Sequence, residues 1–107
     1  MMGVSPSRFS ESMAGYDISA VGINCGKSLE DNLECLNELS GVTSTPIWFK
    51  PNAGLPVLDK LGNATYSVSH EEMGVQAVDW VKHGARIIGG CCGTTPQHLK
   101  SISSSVK

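Results

Sequence analysis

The sequence predicts an α/β fold built on a parallel sheet, and three observations carry the prediction. Short, β-branched apolar runs alternate with stretches of helical apolar spacing, three times over. Two of the helical stretches open on a serine followed three residues later by an acid, and the third opens on Thr-Pro. Cys25, Asn52, Cys91 and Cys92 all fall at the C-terminal ends of strands, where an open doubly wound sheet and a (β/α)8 barrel both place their sites.

Residues 17–24 (DISAVGIN) read as a strand buried on both faces, β-branched and mostly apolar before a polar end, with Cys25 at its C-terminal end. Ser28 and Asp31 form a helix-start pattern, Leu29, Leu33, Leu36 and Leu39 follow at helical spacing, and Gly41 is the expected stop. Residues 45–50 (TPIWFK) form the second strand. Pro51, Asn52, Ala53 and Gly54 end it and open a loop, carrying Gly62 and Asn63, that runs to residue 67. Ser69 with Glu72 starts the next helix, whose buried stripe is Met73, Ala77, Trp80 and Val81, and Gly84 fits the left-handed stop position. Residues 85–89 (ARIIG) form the third strand and run directly into Gly90, Cys91, Cys92 and Gly93. Thr95 reads as the N-cap of a last helix, with Pro96 at its first position and Leu99, Ile102 and Val106 on one face. Ahead of all this, residues 1–4 are expected to be the tail of an earlier strand and residues 6–14 a short helix, which makes three to four βα units.

A chain of 107 residues is at most one small domain, and its 40% hydrophobic content suits a packed core. The net charge is −2 with scattered lysines and arginines, which argues against nucleic acid and against an anionic membrane surface as partners. No apolar run approaches the roughly 20 residues of a membrane span, and the first residues lack a signal-peptide pattern, so the expected compartment is the cytoplasm. Two of the four cysteines are adjacent, a poor arrangement for a disulfide framework, and metal ligation in a reducing compartment fits them better.

Adjacent residues on a regular strand point to opposite faces, so Cys91 and Cys92 could not share a metal while the extended geometry lasted. Glycine at 89, 90 and 93 permits a turn that brings both sulfurs to one side, and Cys25, two strands away at the same end of the sheet, is placed to supply a third. Three thiolates with one open position describe a catalytic zinc site, since structural zinc takes four protein ligands. A thiol entering that position would be bound as thiolate, its free pKa of about 8.5 lowered by the metal. Three anionic sulfurs weaken the Lewis acidity and leave the bound thiolate electron-rich, as a nucleophile attacking a methyl group needs.

GINC at 22–25, PNAG at 51–54 and GGCCGTTPQHL at 89–99 resemble the three C-terminal signatures of the zinc-dependent homocysteine S-methyltransferase family. That family includes the homocysteine-binding domain of cobalamin-dependent methionine synthase and the betaine enzyme. The similarity runs from residue 17 to 102, and MMGVSP at 1–6 resembles the end of the family's preceding strand. The resemblance implies that residues 1–107 are the C-terminal part of a (β/α)8 TIM barrel, incomplete in this chain because a whole barrel takes about 250 residues. It implies that Cys25, Cys91 and Cys92 bind Zn2+, that homocysteine sulfur takes the fourth place, and that methyl transfer gives methionine. Asn52 matches an asparagine beside the metal that occupies the open position when substrate is absent, and Asn24 and Gly90 are expected to line the same pocket. The family's earlier strands, which hold the rest of homocysteine and help to receive the methyl donor, are missing, so cobalamin or folate would act through regions outside this chain. The expected partners are homocysteine or a similar small thiol, an unidentified methyl donor, and either the missing barrel half or a second copy. The alternative expectation is an assembly-dependent half-barrel that keeps only a zinc site, since exposed edges of a parallel sheet favour association.

Other residues have plainer readings. Cys35, between Leu33 and Leu36 on a helix, is expected to be a structural thiol. His98 is expected to hydrogen-bond locally near its helix start, and His70 and His83 to serve helix ends. Trp48 and Phe49 should lie on opposite faces of their strand, one toward the barrel centre and one toward the helices, both packed in the core, with Lys50 as a strand-end charge facing solvent. Glu30, Asp31, Glu71 and Glu72 complement helix dipoles in first turns. Redox chemistry by the thiols ranks last, because no Cys-x-x-Cys pair is present.

Overall fold

In the computed structural model, which describes residues 5–26 and 28–106, the elements run in the order α1 (Pro6–Met13), β1 (Val21–Cys25), α2 (Leu29–Val42), β2 (Ile47–Pro51), β3 (Pro56–Leu58), β4 (Ala64–Tyr66), α3 (His70–Lys82), β5 (Ala85–Ile88) and α4 (Pro96–Val106). β1, β2 and β5 form a parallel sheet with β2 in the middle, Cys25 opposite Pro51 and Phe49 opposite Ile88. The strand expected at residues 1–4 lies outside the described residues.

Local chemistry sets the helix starts where the sequence puts them. The Ser5, Ser28 and Ser69 hydroxyls accept from the amides of Arg8, Asp31 and Glu72 at 3.2, 3.1 and 3.2 Å, each satisfying one otherwise unpaired donor of a first turn. Gly84 follows α3 with φ 110°, the positive-φ position for which glycine is suited. Gly41, by contrast, does not stop α2. The helix passes through it to Val42 and is capped by Thr43, whose amide bonds the Leu39 carbonyl at 3.1 Å. A Cβ at Gly41 would meet open space, so nothing there depends on glycine. The first strand also starts later than residue 17. Pairing begins at Val21, opposite the first residue of β2, and residues 17–20 have no partner strand among the described residues to extend along.

The stretch expected to be a plain loop folds into an antiparallel hairpin of β3 and β4. Asp59 closes it: its carboxylate accepts from the amides of Leu61 and Asn63 at 2.8 and 2.9 Å, and Gly62 takes φ 83°.

The core lies between the sheet and the helices, centred on Phe49, Trp80, Leu36 and Met73, all fully buried, with the Phe49 and Trp80 ring centroids 4.9 Å apart. α2 buries Leu29, Asn32, Leu36 and Leu39, while the expected Leu33 is only half-buried. α4 buries His98 and Ile102, and the expected Leu99 and Val106 are exposed, as is Val81 of α3. The reason is the packing of α3 on α4: Gly74 has no side chain, so the Ser101 carbonyl comes within 3.0 Å of where its Cβ would be, which turns His98 and Ile102 inward. Val81, Leu99 and Val106 line a groove along the open edge of β5 instead.

Trp48 corrects another expectation. Phe49 faces the helices and is buried, but Trp48 is 42% exposed on the opposite sheet face, beside the equally exposed Ile87 and crossed by Lys50, whose Nζ sits 4.7 Å from the Trp48 ring centroid. Among the described residues nothing covers that face. No described helix is long and apolar enough to cross a membrane.

Candidate metal centre

The backbone just beyond β2 ties together the ends of β1 and β5. The Asn52 amide donates to the Cys25 carbonyl at 3.1 Å, the Cys91 amide to the Pro51 carbonyl at 2.9 Å, and the Ala53 amide to the Cys92 carbonyl at 2.9 Å. The Asn52 side chain repeats the bridge: its Nδ2 donates to the Gly26 carbonyl at 3.0 Å and its Oδ1 accepts from the Cys92 amide at 2.9 Å.

Strand alternation would place Cys25 on the helix-facing side with Val21 and Ile23. Instead Cys25 adopts φ 65° and Gly26 φ 86°, so the chain turns out of the strand at this residue. Cys25 is the non-glycine residue with positive φ among those described, a conformation that costs on the order of 1–3 kcal/mol and needs surrounding support. Asn32 of α2 gives some of it, donating from Nδ2 to the Cys25 carbonyl at 2.7 Å. The other turn depends on glycine too. Gly93 has φ 80° with the Tyr66 ring lying where a Cβ would go, and a Cβ on Gly90 would overlap the Thr94 side chain.

The result is that Cys25, Cys91 and Cys92 place their sulfurs within 4.8 Å of one another. Cys25 and Cys91 are 2.7 Å apart, and Cys91 and Cys92 4.0 Å. The hydrogen bond shared with Cys91, helped by burial and by the other thiols, pushes the Cys25 thiol up to about 11. The same bond holds the Cys91 thiol below its usual value despite burial, with the Cys92 amide and the Lys50 charge assisting. The two thiols are thus shifted in opposite directions by the one hydrogen bond they share. A tetrahedral zinc with bonds of about 2.3 Å spaces its sulfurs roughly 3.8 Å apart. Cys91 and Cys92 already fit that spacing, and Cys25 fits after moving about 1 Å away from Cys91 and toward Cys92. Three soft sulfur donors suit zinc in kind as well as in number.

Of the six expected site residues, the three cysteines converge and Asn52 braces them from behind. Gly90 is half-buried inside the cysteine turn, and Asn24 is exposed on the open sheet face, opposite Lys50. Cys35, half-buried on α2, has a thiol raised chiefly by burial and lies outside the cluster. His98 bonds locally as expected: Nδ1 accepts from the Thr95 amide at 3.2 Å and Nε2 donates to the Val68 carbonyl at 2.9 Å, which commits both nitrogens. Sequence reasoning missed Asn32 and Tyr66. Asn32 had a signal, a carboxamide set between Leu29 and Leu36 on the apolar stripe of a helix, whereas nothing in the sequence connects Tyr66 with Gly93.

The parallel α/β unit gathers three thiols at its strand ends, a group that could hold a soft metal ion. The family model for homocysteine S-methyltransferase matches residues 1–106, and the chain belongs to that family. It is 34% identical over 90 residues to a methionine synthase of Mycobacterium leprae (strain TN), which covers 83% of this chain and 7% of that protein. It is 36% identical over 87 residues to homocysteine S-methyltransferase YbgG of Bacillus subtilis (strain 168), covering 81% of this chain and 27% of the relative. Among solved structures it is similar to the homocysteine methyltransferase MmuM from Escherichia coli. The metallated form superposes with TM-score 0.68 at 31% identity over 89% of this chain and 27% of the other, and the oxidized form with TM-score 0.74 over 95% and 30%. The chain thus spans less than a third of each of these relatives and resembles part of the homocysteine methyltransferase fold.

Proposed function

We propose that this chain is the metal-holding part of an enzyme that transfers a methyl group to the thiol of homocysteine, giving methionine. The observation that carries the reading is the convergence of Cys25, Cys91 and Cys92 within 4.8 Å from the ends of two strands separated by a third. In this reading the three cysteines hold Zn2+, which when bound would keep the substrate thiol ionised at neutral pH. The chain's own residues do the rest of the local work. Asn52 holds the two cysteine turns at a fixed separation, and Gly90 lets Thr94 fold against the cysteine turn. Asn24, on the open face one residue before Cys25, is positioned to border the substrate. For Asn52 to occupy a vacant metal position, as the family resemblance implies, its Oδ1 would have to leave the Cys92 amide.

The same reading makes the chain the C-terminal part of a (β/α)8 barrel. Support comes from the uncovered sheet face bearing Trp48 and Ile87, which in a barrel would point inward, and from the partial span of the solved relatives. The remaining strands would bind the amino-acid end of homocysteine and receive the methyl donor, with cobalamin or folate reaching the site through those regions, in the reducing cytoplasm. X-ray absorption on a zinc-loaded, barrel-complete protein tests the proposal. Three sulfurs per zinc should become four on adding homocysteine, and a count that stays at three refutes it.

A second reading, a half-barrel that works only after pairing with another chain or a second copy, is favoured by the 42% exposure of both Trp48 and Ile87. Sedimentation of the 107-residue chain separates the two: concentration-dependent association supports it, and a monomer at all concentrations does not.

A further inference from the structure

The geometry points to Asn32 as a positioning residue that sets where the Cys25 sulfur goes. The inference rests on reading the three cysteines as a metal centre. Asn32 lies on the buried stripe of α2 and is only 5% exposed. Packing alone does not explain an asparagine there. It is a poorer helix former than leucine and must find partners for a desolvated amide. Its partner is specific: Nδ2 donates to the Cys25 carbonyl at 2.7 Å, and the same oxygen accepts from the Asn52 amide at 3.1 Å. Both lone pairs of that carbonyl are thereby used, which fixes the peptide plane between two successive residues at φ 65° and 86°. The carboxamide also occupies the space where a Cβ on Gly26 would sit, so side chain and glycine fit one another. Without the Asn32 donor only the Asn52 amide holds that carbonyl, and the Cys25–Gly26 peptide can rotate toward extended geometry, which carries the sulfur to the face of Val21 and Ile23 and away from Cys91 and Cys92.

Cobalt titration tests this, because cobalt reports the number of thiolates through its charge-transfer absorption. The variants are Asn32→Leu, which keeps the stripe apolar and removes the donor, and Asn32→Asp, which keeps the size and replaces the amide donor with an acceptor. Asn32→Leu is expected to melt, metal-free, at or above the wild-type temperature. Both variants should bind Co2+ about 10–100-fold more weakly, as loss of an outer hydrogen bond to a ligand typically does, with the absorption falling toward that of two thiolates. Wild-type affinity and absorption in either variant overturn the inference. So does a loss of affinity that only tracks a loss of melting temperature in both variants, which is what a general packing role would give. If the wild-type protein itself shows no thiolate-to-cobalt absorption, the metal reading fails at that first step, before any variant is compared.

Discussion

The sulfurs of Cys25 and Cys91, 66 residues apart in the chain, lie 2.7 Å from one another, closer than the 4.0 Å between the neighbours Cys91 and Cys92. In metal-free protein a two-electron oxidant such as diamide, which takes up two electrons and two protons, should therefore join Cys25 to Cys91. Peptide mapping by mass spectrometry reads the outcome, and a Cys91–Cys92 link as the main product would contradict the arrangement.

The same pair should separate in alkylation. A thiol reacts as its thiolate. Cys91, held below the usual thiol value by the Cys25 hydrogen bond, should be labelled by iodoacetamide at lower pH than an ordinary cysteine, while Cys25 should resist until the pH approaches about 11. Because the two share one hydrogen bond, alkylating Cys91 should bring the labelling of Cys25 to lower pH. Zinc should protect Cys25, Cys91 and Cys92 together and leave Cys35 unaffected. Site-by-site labelling that ignores zinc would contradict ligation.

Asp59 ties the tip of the hairpin, and the amides of Asn63 and Leu61 hold its carboxyl below the usual carboxylate range. A depressed folded-state pKa means that its contribution is complete above the ordinary carboxylate value and is lost as pH falls through the depressed one. Amide NMR shifts of Leu61 and Asn63 should move together over that acidic window. Asp59→Asn should remove the pH dependence.

Trp80 is fully buried against Phe49. Trp80→Ala should cost about 3–5 kcal/mol in urea unfolding, the usual loss for an aromatic truncated in a core. Iodide should quench Trp48 fluorescence and leave Trp80 almost untouched, since only Trp48 is accessible. Equal quenching of the two would contradict this difference in exposure.

Features decided within a few residues were readable in the sequence. Ser28 with Asp31 and Ser69 with Glu72 start helices because a hydroxyl and an amide three residues on need nothing else. The cysteine turn was readable because glycines flank it. What escaped was decided at a distance. Val81, Leu99 and Val106 fit a buried stripe by spacing, yet burial depends on which neighbour covers them, and α4 meets α3 along a different line. Gly41 misled because an exposed glycine inside a helix looks the same as one that ends it. The three-residue strands of the hairpin are too short to show a period. The burial of Asn32 could be read from its place between Leu29 and Leu36, but its partner could not, because a backbone carbonyl carries no sequence signature.

The three hydrogen bonds that hang both cysteine turns from the end of β2 make sulfur spacing a gauge of strand registration. A slip of one residue on either side of the middle strand would displace a sulfur by about 3.3 Å and reverse the direction of its side chain. Chains paired out of step would then lose the three-sulfur cluster even while keeping three parallel strands. Metal uptake would thus be a proofreading signal for correct assembly of the sheet, readable in solution without any measurement of catalysis.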